Sequence, residues 1–363
     1  MNTLRDDLQA LAEEAHVVDL ATRAVRGARR RRATRLAVAA AAVTCLIAGG
    51  GSVLLLKANP SPPVVLTPPE TKAPPLPAKG VAPVEQAYEP ECRITVETCT
   101  ERAWRIVTRD GRTYELGEDV ARPLEVTADG RRIAYYSSRH RAIVVRDLAS
   151  GRTWKSPLKQ PAEDFSVEYA LRLSPNGLRF IVSGWGGRRQ PNKLVDLERG
   201  TVTDLRRGWW PVSVSDGSGP VVLVKPYDKS SRVWVLGQEP ITIKDFTYDY
   251  SALAPDGRTL ARVGTTRDPD REPMIQKDGS IVVFDAVRAG RETRVPVSGL
   301  AEGWRPWRLG SWLNATEVTV LAGAESPNSP PPVAYAVDVR TGASRELFAL
   351  RGEGRVVVPG LVR

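Results

Sequence analysis

A phrase that predicts two β-strands joined by a tight turn recurs along the C-terminal part of this chain. Each clear copy carries valine, isoleucine, leucine or aromatic residues on both sides of an Asp-Gly or Asn-Gly pair. Glycine supplies the positive φ that a short hairpin turn needs, so the phrase predicts a β-hairpin. Clear copies span 124–137, 169–184 and 250–264, and weaker copies span 212–224 and 309–322.

A second hairpin phrase follows four of these copies. In it a strand ends in aspartate, and a glycine-containing turn and another strand come next, as in AIVVRDLASGRTW. An aspartate at such a turn accepts hydrogen bonds from the backbone that follows it. We therefore interpret the four matching aspartates as turn residues and not as catalytic groups. They are Asp147, Asp196, Asp285 and Asp338.

Two hairpins make four strands, and the pair of phrases recurs about every 40 to 50 residues, which is the spacing of propeller blades. Five blades are visible, and we expect a sixth to combine WRIVTRDGRTYEL at 104–116 with GRVVVPG at 354–360. Joining the first and last strands in one blade would close the ring and protect its strand edges. The sequence thus predicts an all-β domain over 92–363, a β-propeller of about six blades.

The turn phrase resembles the WD40-like repeats of TolB-type β-propellers. The residues that carry the resemblance are Ser174-Pro175-Asn176-Gly177 and Ala254-Pro255-Asp256-Gly257, with Ala128-Asp129-Gly130 lacking the proline. The resemblance implies the propeller fold and says little about function, because one fold hosts many functions. Members of this family are mostly interaction platforms, so it implies a binding module.

Residues 36–56 hold no charged side chain and directly follow an arginine cluster at 29–35. About 20 apolar residues suffice to cross a bilayer as a helix, and arginines on one flank stay cytoplasmic. We therefore predict a single-pass plasma-membrane protein with a cytoplasmic N-terminus and an extracytoplasmic C-terminal domain. The alternative is a cleaved secretory signal, but the charged start and the apolar core are both longer than such signals have.

The flanks of the span have different compositions. In residues 1–35, Leu4, Leu8 and Leu11 recur at helical spacing, which predicts a short amphipathic helix before the arginine cluster. Such a helix binds a cytoplasmic regulator, lies on the lipid bilayer or simply positions the arginines. Residues 57–91 are rich in proline, which predicts an extended, semi-rigid linker.

The tail and the span together resemble the start of actinobacterial single-pass membrane proteins, some of which are encoded beside extracytoplasmic-function sigma factors. The carrying residues are LRDDLQALAEEAHVVDLATRAVRGARRRR and the apolar stretch after them. The resemblance implies an actinobacterial origin and a signalling role linked to a sigma factor. The helix is shorter than a typical anti-sigma domain and lacks a His and Cys cluster for zinc.

Cys92 and Cys99 lie close together on the side predicted to be extracytoplasmic. In an oxidising compartment such a pair forms a disulfide, which would stabilise the fold by about 2.5 kcal/mol in the chain-entropy model. The alternative is two reduced thiols on a strand. We expect no metal site here, because the only histidines are His16 and His140 and neither is near the pair in sequence.

The net charge of +10 does not indicate a nucleic-acid partner. Part of the excess is the run of arginines from Arg26 to Arg35, which membrane orientation already explains. The remaining basic residues are interleaved with acidic ones along the predicted strands and turns. We therefore expect a solvated surface there, and no nucleic-acid binding.

The sequence offers no catalytic constellation, and we predict no enzyme activity, no catalytic residue and no cofactor. A Ser-His-Asp triad outside the cytoplasm would need His140, which lies in SSRHRAIVV at a predicted surface turn between two arginines. There is no Gly-x-Ser-x-Gly elbow and no phosphate-binding loop.

Tryptophans beside arginines are the candidate binding residues. Indole rings and guanidinium groups together suit a protein, peptide or glycan of the cell envelope. The alternative is that these rings fill gaps between blades. The candidates are Trp185, Arg188, Trp209, Trp210, Trp304 and Trp307.

Two functions remain open at this point. The first is a membrane-anchored binding module at the cell envelope. The second is an extracytoplasmic propeller enzyme acting on glycans, a glycosidase or lyase. A glycosidase needs convergent carboxylates, which the sequence alone does not place.

Overall fold

The computed structural model describes residues 73–90, 103–165, 169–184, 191–227, 230–267, 275–288, 290–324, 330–351 and 354–362. Several predictions concern other residues and lie outside these ranges: the tail 1–35, the span 36–56, the linker up to residue 72, Cys92, Cys99, Trp185 and Arg188. In the ranges that are described, no helix has the length and apolar character to span a bilayer.

The strands of the described residues form six antiparallel sheets, which are the blades of a β-propeller. The all-β, six-bladed fold predicted from the hairpin phrases is thereby confirmed. Blade 1 contains β1 (Val84–Pro90), β2 (Arg105–Thr108), β3 (Thr113–Glu115) and β23 (Gly354–Val357). Blade 2 contains β4 (Val120–Val126), β5 (Arg132–Ser137), β6 (Ala142–Asp147) and β7 (Thr153–Lys155). Blade 3 contains β8 (Tyr169–Leu173), β9 (Arg179–Gly184), β10 (Lys193–Asp196) and β11 (Thr201–Asp204), with a 3-10 helix (Ala162–Phe165) before it.

The other three blades follow in chain order. Blade 4 contains β12 (Trp210–Val214), β13 (Val221–Tyr227), β14 (Ser230–Val235) and β15 (Ile241–Ile243). Blade 5 contains β16 (Thr259–Arg267), β17 (Ile275–Asp285) and β18 (Thr293–Pro296). Blade 6 contains β19 (Arg305–Trp312), β20 (Glu317–Gly323), β21 (Val333–Asp338) and β22 (Ser344–Ala349). The innermost place of blade 5 is taken by a short segment in which Tyr250 bridges Arg262.

Blade 1 joins the two ends of the propeller. Its strand order is β23-β1-β2-β3, so the last strand of the chain is innermost and pairs with the first. Ala87 lies opposite Val357 in this pairing. The sequence predicted such a mixed blade, but it placed β1 in the linker, because proline-rich flanks masked the strand.

The propeller therefore begins upstream of the boundary predicted at residue 92. Before β1 the chain lies along the outer edge of blade 1, where Leu76 N donates to Glu115 O and Glu115 N donates to Pro74 O. It then reaches blade 2, where Val81 N donates to Leu148 O. Proline is tolerated in this place because an edge strand need not use every N–H group.

Each pair of neighbouring blades shares a hydrophobic core. Successive strand residues point to opposite faces, so a blade packs one face on the preceding blade and the other on the next. Ile133 of blade 2 packs with Val84 and Ile106 of blade 1, whereas Ala134 packs with Leu171 of blade 3. In the described residues, six buried clusters occupy the six blade interfaces.

The Asp-Gly turn of blade 2 is also a contact with blade 1. Gly130 has a φ of 77°, and its carbonyl oxygen accepts a 2.8 Å hydrogen bond from the N–H of Val84. A Cβ at position 130 would lie 2.3 Å from the carbonyl oxygen of Val84. Glycine is thus required both for its left-handed conformation and for the close approach of two backbones.

The four matching aspartates all accept hydrogen bonds from their turns, as predicted. The acceptor is Oδ1 in each case, and the donors are backbone N–H groups two or three residues on: Ser150 for Asp147, Glu198 and Arg199 for Asp196, Val287 and Arg288 for Asp285, and Arg340 and Thr341 for Asp338. Hydrogen bonds from the side chain and the backbone of Arg340 lower the pKa of Asp338 to about 2.

Replacement of Gly130 by alanine tests the contact between blades 1 and 2. We expect Gly130→Ala to lower the free energy of unfolding by roughly 2 to 4 kcal/mol, since it adds overpacking to the cost of a left-handed alanine. Gly111→Ala is the matched control, because Gly111 has a φ of 82° and open space around it. Chemical denaturation measures both, and equal losses would contradict a role for the backbone contact.

The aspartate turns predict a loss of stability in acid. A carboxyl group whose pKa is lower in the folded state stabilises above its unfolded pKa, and this stabilisation disappears as the pH falls through the folded pKa. For Asp338 that window runs from about pH 4 down to about pH 2. Asp338→Asn keeps an Oδ1 acceptor but cannot titrate, so the free energy of unfolding should fall less steeply in this window. Val202→Thr, at an exposed position and without a titratable group, is the control and should leave the slope unchanged.

Candidate functional site

The inner strands of the propeller surround a central channel. They are β4, β8, β12, β19 and β23, together with the short inner segment of blade 5. We call the end of the channel where these strands begin the upper face, and the end where they reach their hairpin turns the lower face. A cavity lies at each end, and we call them the upper cavity and the lower cavity.

The upper cavity combines aromatic and cationic side chains. Its volume is about 510 Å³, within the range of small-ligand sites. Tyr169 and Trp210 come from the first residues of β8 and β12, and Trp307 and Arg308 come from β19. Arg355 comes from β23, and the side chains of Arg308 and Arg355 are both exposed.

The structure brings together two of the four candidate tryptophans that it describes. Trp210 and Trp307 line the upper cavity. Trp209 is 3% exposed and packs in the core between blades 3 and 4, with its ring 5.2 Å from that of Trp234. Trp304 packs against the core between blades 5 and 6. Sequence reasoning did not select Tyr169, Arg308 and Arg355, which have no distinctive motif around them.

Trp307 is fixed from two sides. The Nζ of Lys277 donates a 2.5 Å hydrogen bond to the carbonyl oxygen of Trp307 and lies 3.0 Å from Oδ2 of Asp249. The indole lies against Gly323 of the neighbouring strand β20, where a Cβ would come within 2.9 Å of the ring. The missing side chain at Gly323 therefore provides the space that the ring occupies.

Other aromatic rings extend the wall at the upper face. Trp210 packs edge-on against Tyr248 at 6.3 Å between ring centroids, and Tyr248 packs edge-on against Phe246 at 5.3 Å. Nη1 of Arg355 in blade 1 donates a 2.8 Å hydrogen bond to the hydroxyl of Tyr169 in blade 3. Edge-to-face contacts of this kind hold aromatic rings in fixed orientations, so the wall is preformed.

A buried ion pair lies between the two cavities. Nη1 of Arg172 is 3.9 Å from Oε1 of Glu125, and both side chains are less than 10% exposed. The same Nη1 donates a 2.9 Å hydrogen bond to the carbonyl oxygen of Leu171. Both charged residues line both cavities. A ligand in either cavity would therefore meet a charge that already has a partner.

The segment that follows β23 crosses the channel. Gly360 N donates to Val126 O of blade 2, and Val362 N donates to Leu309 O of blade 6. Leu361 lines both cavities, and Val362 joins the core between blades 4 and 5. The lower cavity, of about 460 Å³, lies beyond this segment among the hairpin turns. The segment thus separates the two cavities.

The described residues contain little that could perform acid–base or metal chemistry at the upper cavity. Among those that line it, Glu125 is the only acid. No group of three or more His, Cys, Asp and Glu side chains in the described part of the chain is arranged to hold a metal. His140 lies in the turn between β5 and β6 and lines neither cavity. Burial and the nearby cations Lys155 and Arg139 lower the pKa of His140.

Comparison with known proteins gives structural likeness only. No protein-family model and no curated protein matches the chain. TolB from Acinetobacter baumannii is 17% identical with a TM-score of 0.46, over 76% of this chain and 66% of that one. A putative TolB from Agrobacterium tumefaciens is 13% identical with a TM-score of 0.44, over 74% of this chain and 90% of that one. An oligogalacturonate lyase from Vibrio parahaemolyticus is 12% identical with a TM-score of 0.41, over 70% of this chain and 73% of that one. The propeller fold of this chain is shown by its own six sheets.

Replacement of Gly323 tests how Trp307 is held. The new methyl group of Gly323→Ala would contact the indole, so we expect the ring to turn and the tryptophan fluorescence to change, with a loss of stability of about 1 kcal/mol or more. The fluorescence change should vanish in a Trp307→Phe background. Gly290→Ala is the control, because the nearest atom to a Cβ there is 3.6 Å away. An unchanged spectrum in Gly323→Ala would contradict the packing.

Proposed function

We propose that this protein is a membrane-anchored binding module of the cell envelope, and that its upper cavity receives the partner. The observation that carries the proposal is the convergence of Tyr169, Trp210, Trp307, Arg308 and Arg355 at one end of the channel. Tryptophan, tyrosine and arginine are the residues most enriched where binding energy concentrates in interfaces.

The electrostatics of the cavity favour binding over hydrolysis of a glycan. Glycan-cleaving enzymes commonly use two carboxyl groups on either side of the scissile bond. Among the described residues that line the upper cavity, the one carboxylate belongs to Glu125 and is paired with Arg172. A propeller enzyme acting on glycans is the alternative, and turnover of a glycan would establish it.

We infer the membrane anchor from the sequence alone. The uncharged stretch 36–56 behind the arginine cluster would hold the propeller outside the cytoplasm, where Cys92 and Cys99 would form a disulfide. A single cytoplasmic helix within 1–35 would then be the contact for an intracellular regulator, for which a sigma factor is the candidate. Such a role would make the protein a sensor that reports occupancy of its outer domain.

Photo-crosslinking in intact cells tests the proposal. A photoreactive phenylalanine analogue replaces Tyr248, which is 41% exposed and packs on Trp210. We expect an adduct in the membrane fraction that is lost when Trp307→Ala is added. Val202, 38% exposed on the outer strand of blade 3, is the matched control position and should give no such adduct. Equal adducts at both positions, or a cleaved glycan instead of an adduct, would contradict the proposal.

A further inference from the structure

The upper cavity has an aliphatic part, here called its floor, next to the exposed side chains of Arg308 and Arg355, here called its rim; Leu321 of the floor lies opposite Arg308 in the pairing of β19 with β20. The floor consists of aliphatic side chains that pack together as a cluster between blade 6 and the segment after β23: Leu321, Leu350, Val358 and Leu361. All four line the cavity. An aliphatic floor cannot replace the hydrogen bonds that water gives to hydroxyl or amide groups, so it disfavours a ligand that is polar throughout.

The rim has the opposite character. Arg308 and Arg355 are exposed there, and with Arg172 they give the cavity lining three positive charges against the single negative charge of Glu125. Arg172 and Glu125 are paired at depth, so the excess charge lies at the rim. Guanidinium groups bind carboxylates through charge-assisted hydrogen bonds, which are among the strongest in proteins.

We propose that the upper cavity binds a small amphipathic carboxylic acid. Its carboxylate would meet Arg308 and Arg355, and its apolar body would lie between Trp210 and Trp307 on the aliphatic floor. This inference rests on the proposed function, because it takes the upper cavity as the binding site, and it adds the chemical class of the ligand. A cation does not match the charge of the rim, and a ligand that is polar throughout does not match the floor.

A ligand on the floor would also contact the segment that crosses the channel. Leu361 separates the two cavities and lies on the segment that crosses the channel. A ligand body on this floor therefore contacts the chain just after the strand that closes the ring. Binding should consequently raise the resistance of the protein to unfolding, since a ligand that binds only the folded state stabilises it.

Calorimetric titration of the full chain in lipid nanodiscs tests the proposal, with empty nanodiscs as the blank. The probe is 4-phenylbutyrate, and 4-phenylbutanol, 4-phenylbutylamine and acetate are its neutral, cationic and headgroup-only counterparts. We expect 4-phenylbutyrate to bind at least tenfold more tightly than each of the others, and to raise the unfolding temperature. Equal binding of the acid and the alcohol, or tighter binding of the amine, would overturn the proposal.

Substitutions at the rim give the second arm. We expect Arg308→Gln to weaken 4-phenylbutyrate about tenfold, the effect of losing one charge-assisted hydrogen bond, and to leave 4-phenylbutanol unchanged. Arg131→Gln, an exposed arginine of the blade 2 turn at the lower face, is the matched control and should change neither. An Arg308→Gln protein that binds the acid as tightly as the wild type would overturn the proposal.

A peptide arm distinguishes the source of the carboxylate. If Gly-Gly-Gly-Phe with a free C-terminus binds while its amide and 4-phenylbutyrate do not, the ligand is a peptide end and the small-acid proposal is overturned. The photo-adduct at position 248 separates this failure from that of the proposed function. An adduct that depends on Trp307, without acid binding, leaves the binding module in place and removes only the ligand class.

Discussion

The pairing of β23 with β1 is the contact on which the rest of the propeller depends. Each hydrophobic core lies between two blades, so a blade has no complete core of its own. An open array of such blades would expose one apolar face and one strand edge at each end. The pairing of Ala87 with Val357 removes both ends at once, because it inserts the last strand into the first blade. Stability of every interface is therefore coupled to this one.

The same closure shapes the site. β23 is the innermost strand of blade 1, and the segment that follows it crosses the channel from blade 2 to blade 6. Val358 and Leu361 become the floor of the upper cavity as a result. Gly310 and Gly360 make the crossing feasible: a Cβ on Gly310 would lie 3.0 Å from the carbonyl oxygen of Gly360, and one on Gly360 would lie 2.3 Å from Oγ of Ser311. Ring closure and cavity depth thus have a common physical origin.

The hairpins were predictable from the sequence because their signals are local. The glycine of an Asp-Gly pair supplies the positive φ of its own turn, as Gly130 does, and a strand-ending aspartate accepts hydrogen bonds from its own turn, as Asp338 does. The second hairpin of blade 4 joins β14 to β15 through a turn that contains Gly237 but no strand-ending aspartate. The sequence analysis therefore did not find this hairpin. The strand β1 was hidden because proline-rich sequence flanks it, and because one of its partners is the distant β23, so that no local pattern marks it as a closing strand.

The site was predictable only in part, because it depends on which strand is innermost and which face of it turns to the channel. Trp209 and Trp210 are neighbours in sequence, yet one lies in a core and the other in the wall of the upper cavity. Side-chain direction alternates along an extended chain, so a shift of one residue exchanges these roles. The sequence likewise does not show which charged side chains come together, as Arg308 and Arg355 illustrate. In sequence they are two arginines among many, and they become a cationic rim only because β19 and β23 are the innermost strands of adjacent blades.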